Sequence, residues 1–428
     1  MKTIKQPAKK DWSRLCERPA EDVSKLNNLV SDMFEEIRTQ GDKAVKAYTK
    51  KFDGTDLQKL SVSGREFDEA EKNLPEKLKA AINLAAENIR KFHASQKEPV
   101  NIIETAPGVF CRRESRPIEK VGIYIPAGTA PLFSTVLMLA IPARLAGCRE
   151  IVLCSPPDKN GQIHPAVLYA AKLTGVSAAF KIGGIQAVGA LTFGTESVPK
   201  VYKIFGPGNQ YVTAAKQAAQ NYGVAMDLPA GPSELLVIAD KSAKPEYVAA
   251  DLLSQAEHGP DSQVILLSDN DKTNEAVLNA LESQLEQLPR KATAQKALEN
   301  SQAITFNNVS ECIDFSNAYA PEHLIMAVEN PDSYSPRIIN AGSVFLGNYT
   351  CESVGDYASG TNHTLPTNGY ARNYSGVSLD SFIKKITFQE LTKEGLNKIG
   401  PAIEQMAEAE ALFGHKNAVS LRLKDIAK

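Results

Sequence analysis

Apolar positions change their spacing several times along this chain. Between residues 20 and 115, Leu26, Leu29, Val30, Met33, Phe34 and Ile37 recur three or four apart, one face of a helix, and Gly41 follows as a stop. The stretch from Glu71 to Phe92 has the same texture, so this region is expected to be mainly helical. From 121 to 240 the pattern alternates. Short apolar runs (VGIYIP, EIVLCS, AAFKIGG, KVYKIFG) are separated by helical stretches such as PLFSTVLMLAIPARLAG, HPAVLYAAKL, QAVGALTF and NQYVTAAKQAAQ. Short strands separated by helices predict βαβ units and a parallel, doubly wound α/β sheet with right-handed crossovers. The alternation resumes with ELLVIAD, a helix from Pro245 to His258 ended by Gly259-Pro260, and the strands SQVILLSD, QAITF, HLIMAV and GSVFLG. Two such modules in tandem are expected, with the final fifty residues as a helical appendage.

Composition narrows the class. A chain of 428 residues holds two or three domains. Its 43 % hydrophobic and 23 % charged content is that of an ordinary globular protein, and a net charge of −2 gives no electrostatic reason to bind nucleic acid or an anionic membrane. The start, MKTIKQPAKKDW, is basic but lacks the apolar core of a secretory signal. No run reaches the roughly 18 apolar residues of a membrane span. The longest, Ala130 to Ala146, is interrupted by Ser134, Thr135, Pro142 and Arg144. Cys16, Cys111, Cys148, Cys154, Cys312 and Cys351 are scattered singly with no C-x-x-C pair, which suits a reducing, cytoplasmic setting and argues against a thiolate zinc site.

Candidate chemistry concentrates late in the chain, where four of the six histidines lie in polar or loop-like contexts. Gln255 and His258 are three apart at a helix end and share a face. As a zinc donor Glu257 is chemically the better partner for His258, whereas helical spacing favours Gln255. Glu322 and His323 are adjacent at a strand end, where α/β sheets place active sites, and could serve as two proton-transfer groups. Asp356 and His363 lie in a glycine-containing segment that begins at Glu352. Glu410 and His415 are five apart, about 140° around a helix, and cannot share one face of a straight helix. The dinucleotide signal is weak. No G-x-G-x-x-G follows a strand. Gly206-Pro207-Gly208-Asn209 and Gly183-Gly184-Ile185-Gln186 do occupy strand–helix junctions, where glycine admits a phosphate and Asn209 can cap a helix. Each of these features taken singly is also what an ordinary turn or surface histidine looks like.

Assembled in order, the segments resemble the histidinol dehydrogenase family. The resemblance rests on YIPAGTAPLFSTVLMLAIPA, GGIQAVGALTFGTESVPKV, GPGNQYVTAAK, DLPAGPSELLVIAD, DLLSQAEHGPDSQ, APEHL, AGSVFLG, ESVGDYASGTNHTLPT and a C-terminal E-x-x-x-x-H, spanning 120 to 420. Gly414 departs from the alanine expected there, at no functional position. The resemblance implies oxidation of L-histidinol to L-histidine through histidinaldehyde, the last step of histidine biosynthesis, with NAD as cofactor and one zinc per site. It implies zinc on Gln255, His258, Asp356 and His415. Substrate would touch Ser233, His363 and Glu410, together with the zinc ligands and His323. NAD would touch Tyr124, Gln186 and Asn209, and Glu322 and His323 would be the acid–base pair. It also implies two incomplete Rossmann-like domains, one from 21–123 and 235–377 carrying most zinc and catalytic residues, the other from 124–234 contacting NAD. A short N-terminal segment (1–20) and a helical tail (378–428) complete the fold. The tail would cross to a second subunit in an intertwined homodimer, so that His415 need not reach its own chain's site. The runner-up is a zinc-dependent hydrolase acting on a small amino compound, supported by the missing glycine fingerprint. A non-catalytic binding protein is the third reading, and the Glu322-His323 pair speaks against it.

Overall fold

The computed structural model describes residues 1–19, 24–127, 131–229 and 231–428. The expected boundary at 20/21 lies outside these residues, as do parts of the YIPAGTAP and DLPAGP segments. The described strands, in chain order, are β1 (Lys2–Lys5), β2 (Ile102–Ala106), β3 (Val109–Pro117), β4 (Lys120–Tyr124), β5 (Glu150–Ser155), β6 (Ala178–Lys181) and β7 (Lys203–Phe205). They continue with β8 (Ala225–Met226), β9 (Glu234–Ala239), β10 (Gln263–Ser268), β11 (Gln302–Thr305), β12 (His323–Ala327), β13 (Ser343–Leu346) and β14 (Ile383–Leu391). The chain divides into two compact units, 1–96 with 118–382, and 97–117 with 383–428.

The first unit holds two parallel sheets, ordered β1-β11-β10-β9-β12-β13 and β6-β5-β4-β7-β8. Counting only its own successive strands, each runs third-second-first-fourth-fifth, with β1 added along the edge of the first. The winding therefore reverses beside β4 in one sheet and beside β9 in the other. Parallel strands covered on both faces are near-continuous apolar runs. Every residue of β9 and β10 is buried, and alternate side chains feed different cores. Leu235 and Val237 pack on one face of the sheet, Leu236 and Ile238 on the other. The predicted helix face Leu26, Val30, Met33, Phe34 and Ile37 forms as expected on Ser24–Gln40, and it packs with Val188 and Leu191 against the second sheet. Ile82, Ala86 and Ile89 of the helix Glu76–Ala94 cover that sheet's other side. The expected continuous helical stretch from Glu71 is broken at Leu74-Pro75, because proline opens a new helix rather than continuing one.

The second unit corrects two expectations. Residues 102–117 form strands, not helix, and the last fifty residues open on β14 before turning helical. The sheet is antiparallel, ordered β14-β3-β2, with its β2–β3 turn at Pro107-Gly108, where Gly108 takes a φ of 76°. These strands are largely exposed and polar, so they lack the apolar alternation that announces a half-buried strand, and the Pro-Gly pair was the available signal. Two helices follow, Lys393–Ala409 and Phe413–Ile426, brought close where Gly400 meets Leu423. Glu410 and His415 flank the turn between them, where Ala411 adopts φ 57°. Among the described residues no helix is long and apolar enough to cross a membrane.

Candidate active site

Of the expected residues, Ser233, Gln255, His258, Glu322 and His323 lie at the amino-terminal edge of the first sheet. Ser233 immediately precedes β9, Glu322 immediately precedes β12 and His323 is its first residue. Helix Pro245–Ala256 ends on the way to β10 and leaves Gln255 and His258 at that edge. Open α/β sheets usually bind ligands beyond the carboxyl ends of their strands. Here that rule describes the second sheet, whose carboxyl ends present Pro126 and the Gly206–Asn209 turn. A cleft of about 450 Å³ joins the two edges, lined by Gly206, Asn209, Ser233, His258, Glu322, His323, Asp356 and His363 among others. A larger open groove of about 750 Å³ lies elsewhere, around 54–66 and 159–161, and holds none of the candidate residues.

One residue holds the Glu322-His323 pair. The backbone N–H of Glu234 donates to Glu322 Oε2 at 2.9 Å, and the carbonyl of Glu234 lies 3.1 Å from His323 Nδ1. A carbonyl can only accept, so Nδ1 carries a proton, and Nε2 faces Asp356 Oδ1 at 3.7 Å with no hydrogen-bond partner. Both side chains are buried. Burial pushes the Glu322 carboxyl up to about 7 against the opposing pull of His323. Burial lowers the His323 ring, but Glu322, Glu352 and Asp356 outweigh it and hold the ring up to about 10.

Beside this pair, donor atoms of His258, Glu352 and Asp356 lie within 4.8 Å of one another. Gln255 Nε2 is 3.4 Å from His258 Nδ1, while Gln255 Oε1 and Glu352 Oε2 are buried without partners. Protein surroundings lower the pKa of His258, which favours the neutral, ligating form, with Asp356 opposing. Burial pushes Glu352 up to about 8. Orphaned oxygens, crowded carboxylates and neutral histidine together fit a divalent cation with N and O donors, zinc included. Sequence reasoning missed Glu352, noting it only as the start of a polar segment. That segment is a helix, Glu352–Tyr357, and the four-residue spacing of Glu352 and Asp356 was the signal that places both on one face. Glu257 lines the cleft but does not join the group. His415 and Glu410 belong to the second unit, where both are exposed. His363 donates from Nδ1 to the Asp356 carbonyl at 3.0 Å, leaving Nε2 to accept from Thr135 Oγ1 at 3.0 Å, and burial lowers its pKa.

The proposed cofactor residues sit at the carboxyl edge of the second sheet. Asn209 caps helix Gln210–Ala219 as expected, accepting from the Val212 N–H at 3.2 Å. Tyr124 ends β4 and its hydroxyl accepts from the Gly184 N–H at 3.1 Å. Gln186 donates to Asp53 Oδ2 at 3.3 Å. Tyr124 and Gln186 are buried and do not line the cleft itself. Asp53, pushed up to about 6 by burial, is a neighbour that sequence reasoning did not single out. Gly206 takes φ 126° directly against the Tyr124 carbonyl, so no side chain is tolerated there. Its N–H donates to Asp227 Oδ2 at 2.8 Å, and buried Lys216 donates to its carbonyl at 2.8 Å, which fixes the turn that faces the cleft.

Comparison with known proteins shows the family. The family model for histidinol dehydrogenase matches residues 16–423. A histidinol dehydrogenase from Bacteroides thetaiotaomicron is 58 % identical over 426 residues, covering 100 % of both chains. One from Escherichia coli is 52 % identical over 413 residues, covering 96 % of this chain and 94 % of its own. The crystal structure of histidinol dehydrogenase from Elizabethkingia anophelis superposes with a TM-score of 0.99 at 61 % identity, covering 100 % of this chain and 99 % of its own.

Proposed function

The chain belongs to the histidinol dehydrogenase family, and from that premise we propose how its residues divide the work. It is an oxidoreductase of histidine biosynthesis that takes L-histidinol to L-histidine, a four-electron oxidation through histidinaldehyde. The observation that carries the assignment is the buried Glu322-His323 pair, with His323 Nε2 unpartnered beside the His258, Glu352 and Asp356 group.

In this reading one zinc per site would supply a template and Lewis acid for the substrate and NAD would supply the hydride acceptor for both oxidations. Gln255, His258, Asp356 and Glu352 would hold the metal, joined by His415 of a second copy. Ser233, His363 and that copy's Glu410 would orient the substrate. With a divalent cation on Glu352 and Asp356, two of the carboxylates that raise the His323 ring would be neutralised, and His323 Nε2 would accept the alcohol proton as the first carbon–hydrogen bond is lost. Glu322 would deprotonate the water that adds to the aldehyde while His323 returns its proton to the aldehyde oxygen, and His323 would then accept the hydrate proton in the second oxidation. Keeping the aldehyde enclosed in the cleft limits its escape. Tyr124, Gln186 and Asn209 would contact NAD at the edge where the second sheet reverses, and the 124–234 segment would act as the NAD-contacting, Rossmann-like domain. The Rossmann-like domain built on 235–377 would carry most zinc and catalytic residues, whereas the helices of 24–94 and strand β4, expected to join it, pack with the sheet of the NAD-contacting segment. An intertwined homodimer would cover exposed Ile102, Ile103, Met406, Phe413 and Leu421 on the second unit, and a cytoplasmic setting would suit the free cysteines.

The test is NAD reduction by the purified protein with histidinol, with and without a chelator. Two reduced NAD per histidinol consumed, lost on chelation, is expected. Turnover of the substrate without NAD reduction would instead favour the hydrolase.

A further inference from the structure

We propose that Arg18 and Glu234 form a positioning pair that sets the orientation of Glu322 and His323. The proposal rests on the reading of those two residues as the acid–base pair. Glu234 holds both of them through its own backbone, by the N–H to Glu322 and the carbonyl to His323. The ladder between β9 and β12 starts at Leu235 opposite His323, so it reaches Glu234 only at its carbonyl and leaves the N–H that holds Glu322 outside the strand pairing. The side chain of Glu234 adds a second constraint at that open end. Arg18 grips the carboxylate in two places, Nε to Oε1 at 2.6 Å and Nη2 to Oε2 at 3.0 Å. The N–H of Asn368 donates to the same Oε1 at 2.8 Å. The side chains of Arg18 and Glu234 are only 10 % and 2 % exposed.

The same guanidinium reaches the other side of the pair. Arg18 Nη2 donates to the Tyr319 carbonyl at 2.7 Å, and the guanidinium stacks on the Tyr319 ring at 3.9 Å. Tyr319 stands three residues before Glu322, and between them Ala320 adopts φ 56°, a left-handed conformation costly for a residue with a Cβ. Arg18 therefore fixes both ends of a short path that begins at Tyr319, passes through Glu322 and His323, and closes on Glu234. A buried ion pair is a poor source of stability compared with apolar side chains of similar volume. A planar, two-point grip is what orientation requires, and lysine cannot supply it.

The test compares Arg18→Ala and Arg18→Lys with the parent and with Glu322→Gln and His323→Asn. A shift of about 1 Å in catalytic groups costs roughly 10²-fold in rate. Arg18→Ala is expected to lose about that much kcat in both the alcohol and the aldehyde oxidation, with KM for histidinol and NAD within about threefold. Zinc content should be unchanged. Millimolar guanidinium should restore part of the lost kcat, whereas equal sodium chloride should not, and Arg18→Lys should fall between Ala and parent. Near-parental kcat in folded, zinc-loaded Arg18→Ala overturns the proposal. So does a loss that guanidinium leaves untouched, or one that merely tracks lost zinc and lost folding. Should Arg18→Ala fail to fold, isosteric Glu234→Gln is measured the same way, and near-parental kcat there overturns the pair equally. Full activity in Glu322→Gln and His323→Asn would show instead that the acid–base reading had failed.

Discussion

Glu322→Gln separates chemistry from architecture at one position. The glutamine keeps an oxygen where Glu322 Oε2 accepts from the Glu234 N–H, so the backbone hold on the residue survives. What it loses is the capacity to take a proton. Removing a general base costs roughly 10²–10⁴ in rate, or about 3–5 kcal/mol of barrier. That loss should fall on the aldehyde step, where water must be activated, and much less on the alcohol step, where His323 accepts the proton. Stability should move the other way. Burial raises the Glu322 carboxyl from 4.5 to about 7, so the folded state binds its proton more tightly than the unfolded chain does. The stability this contributes is present below about 4.5 and is lost as pH rises through 7, on the order of 3 kcal/mol. The variant lacks that loss. Relative to the parent it should melt progressively higher as pH rises from 5 to 8 in roughly unit steps. The assay supplies histidinol and histidinaldehyde separately and follows reduced NAD, alongside melting curves. Equal losses in the two steps would refute the division of roles, and a melting difference that does not grow with pH would refute the electrostatic account.

In the parent, aldehyde oxidation should rise with pH through about 7 as Glu322 ionises, and a pH-rate profile checks it. Prolonged chelation should remove metal and activity together, with zinc, manganese or cobalt restoring both. Glu352→Gln should weaken metal retention about 10–100-fold in competition with a chelator, and unchanged retention would remove Glu352 from the donor set. Mixing inactive His258→Ala and His415→Ala and refolding them together should recover roughly a quarter of parental activity, because half the dimers are mixed and each has one intact site. No recovery in demonstrated mixed dimers would mean that the site is not shared.

Much of the fold is legible locally. Short apolar runs between helices announced both parallel sheets, because strands buried on two faces are apolar along most of their length, as Leu235–Ala239 and Val264–Leu267 are. The antiparallel sheet of the second unit was not legible, since exposed polar strands are held by partners distant in sequence. Ile383 to Leu391 pairs with Val109 to Pro117, and nothing in either segment says so. The site divides in the same way. Quoted motifs brought Gln255, His258, Glu322, His323, Asp356 and His363 to attention, because side chains that carry chemistry are rare and recognisable by type. Glu352 and Arg18 were overlooked, because their roles come from what they lie against. By itself the sequence determined the residue types that can exchange protons and bind a metal, and the alternation of strand and helix. Only the tertiary structure decided that Glu352 joins His258 and Asp356, that the site lies at the amino edge of one sheet and the carboxyl edge of the other, and that Arg18 reaches Glu234. Those are relations between residues up to 216 positions apart, and hydrogen bonds and ion pairs act over a few ångströms of space, whatever the separation along the chain.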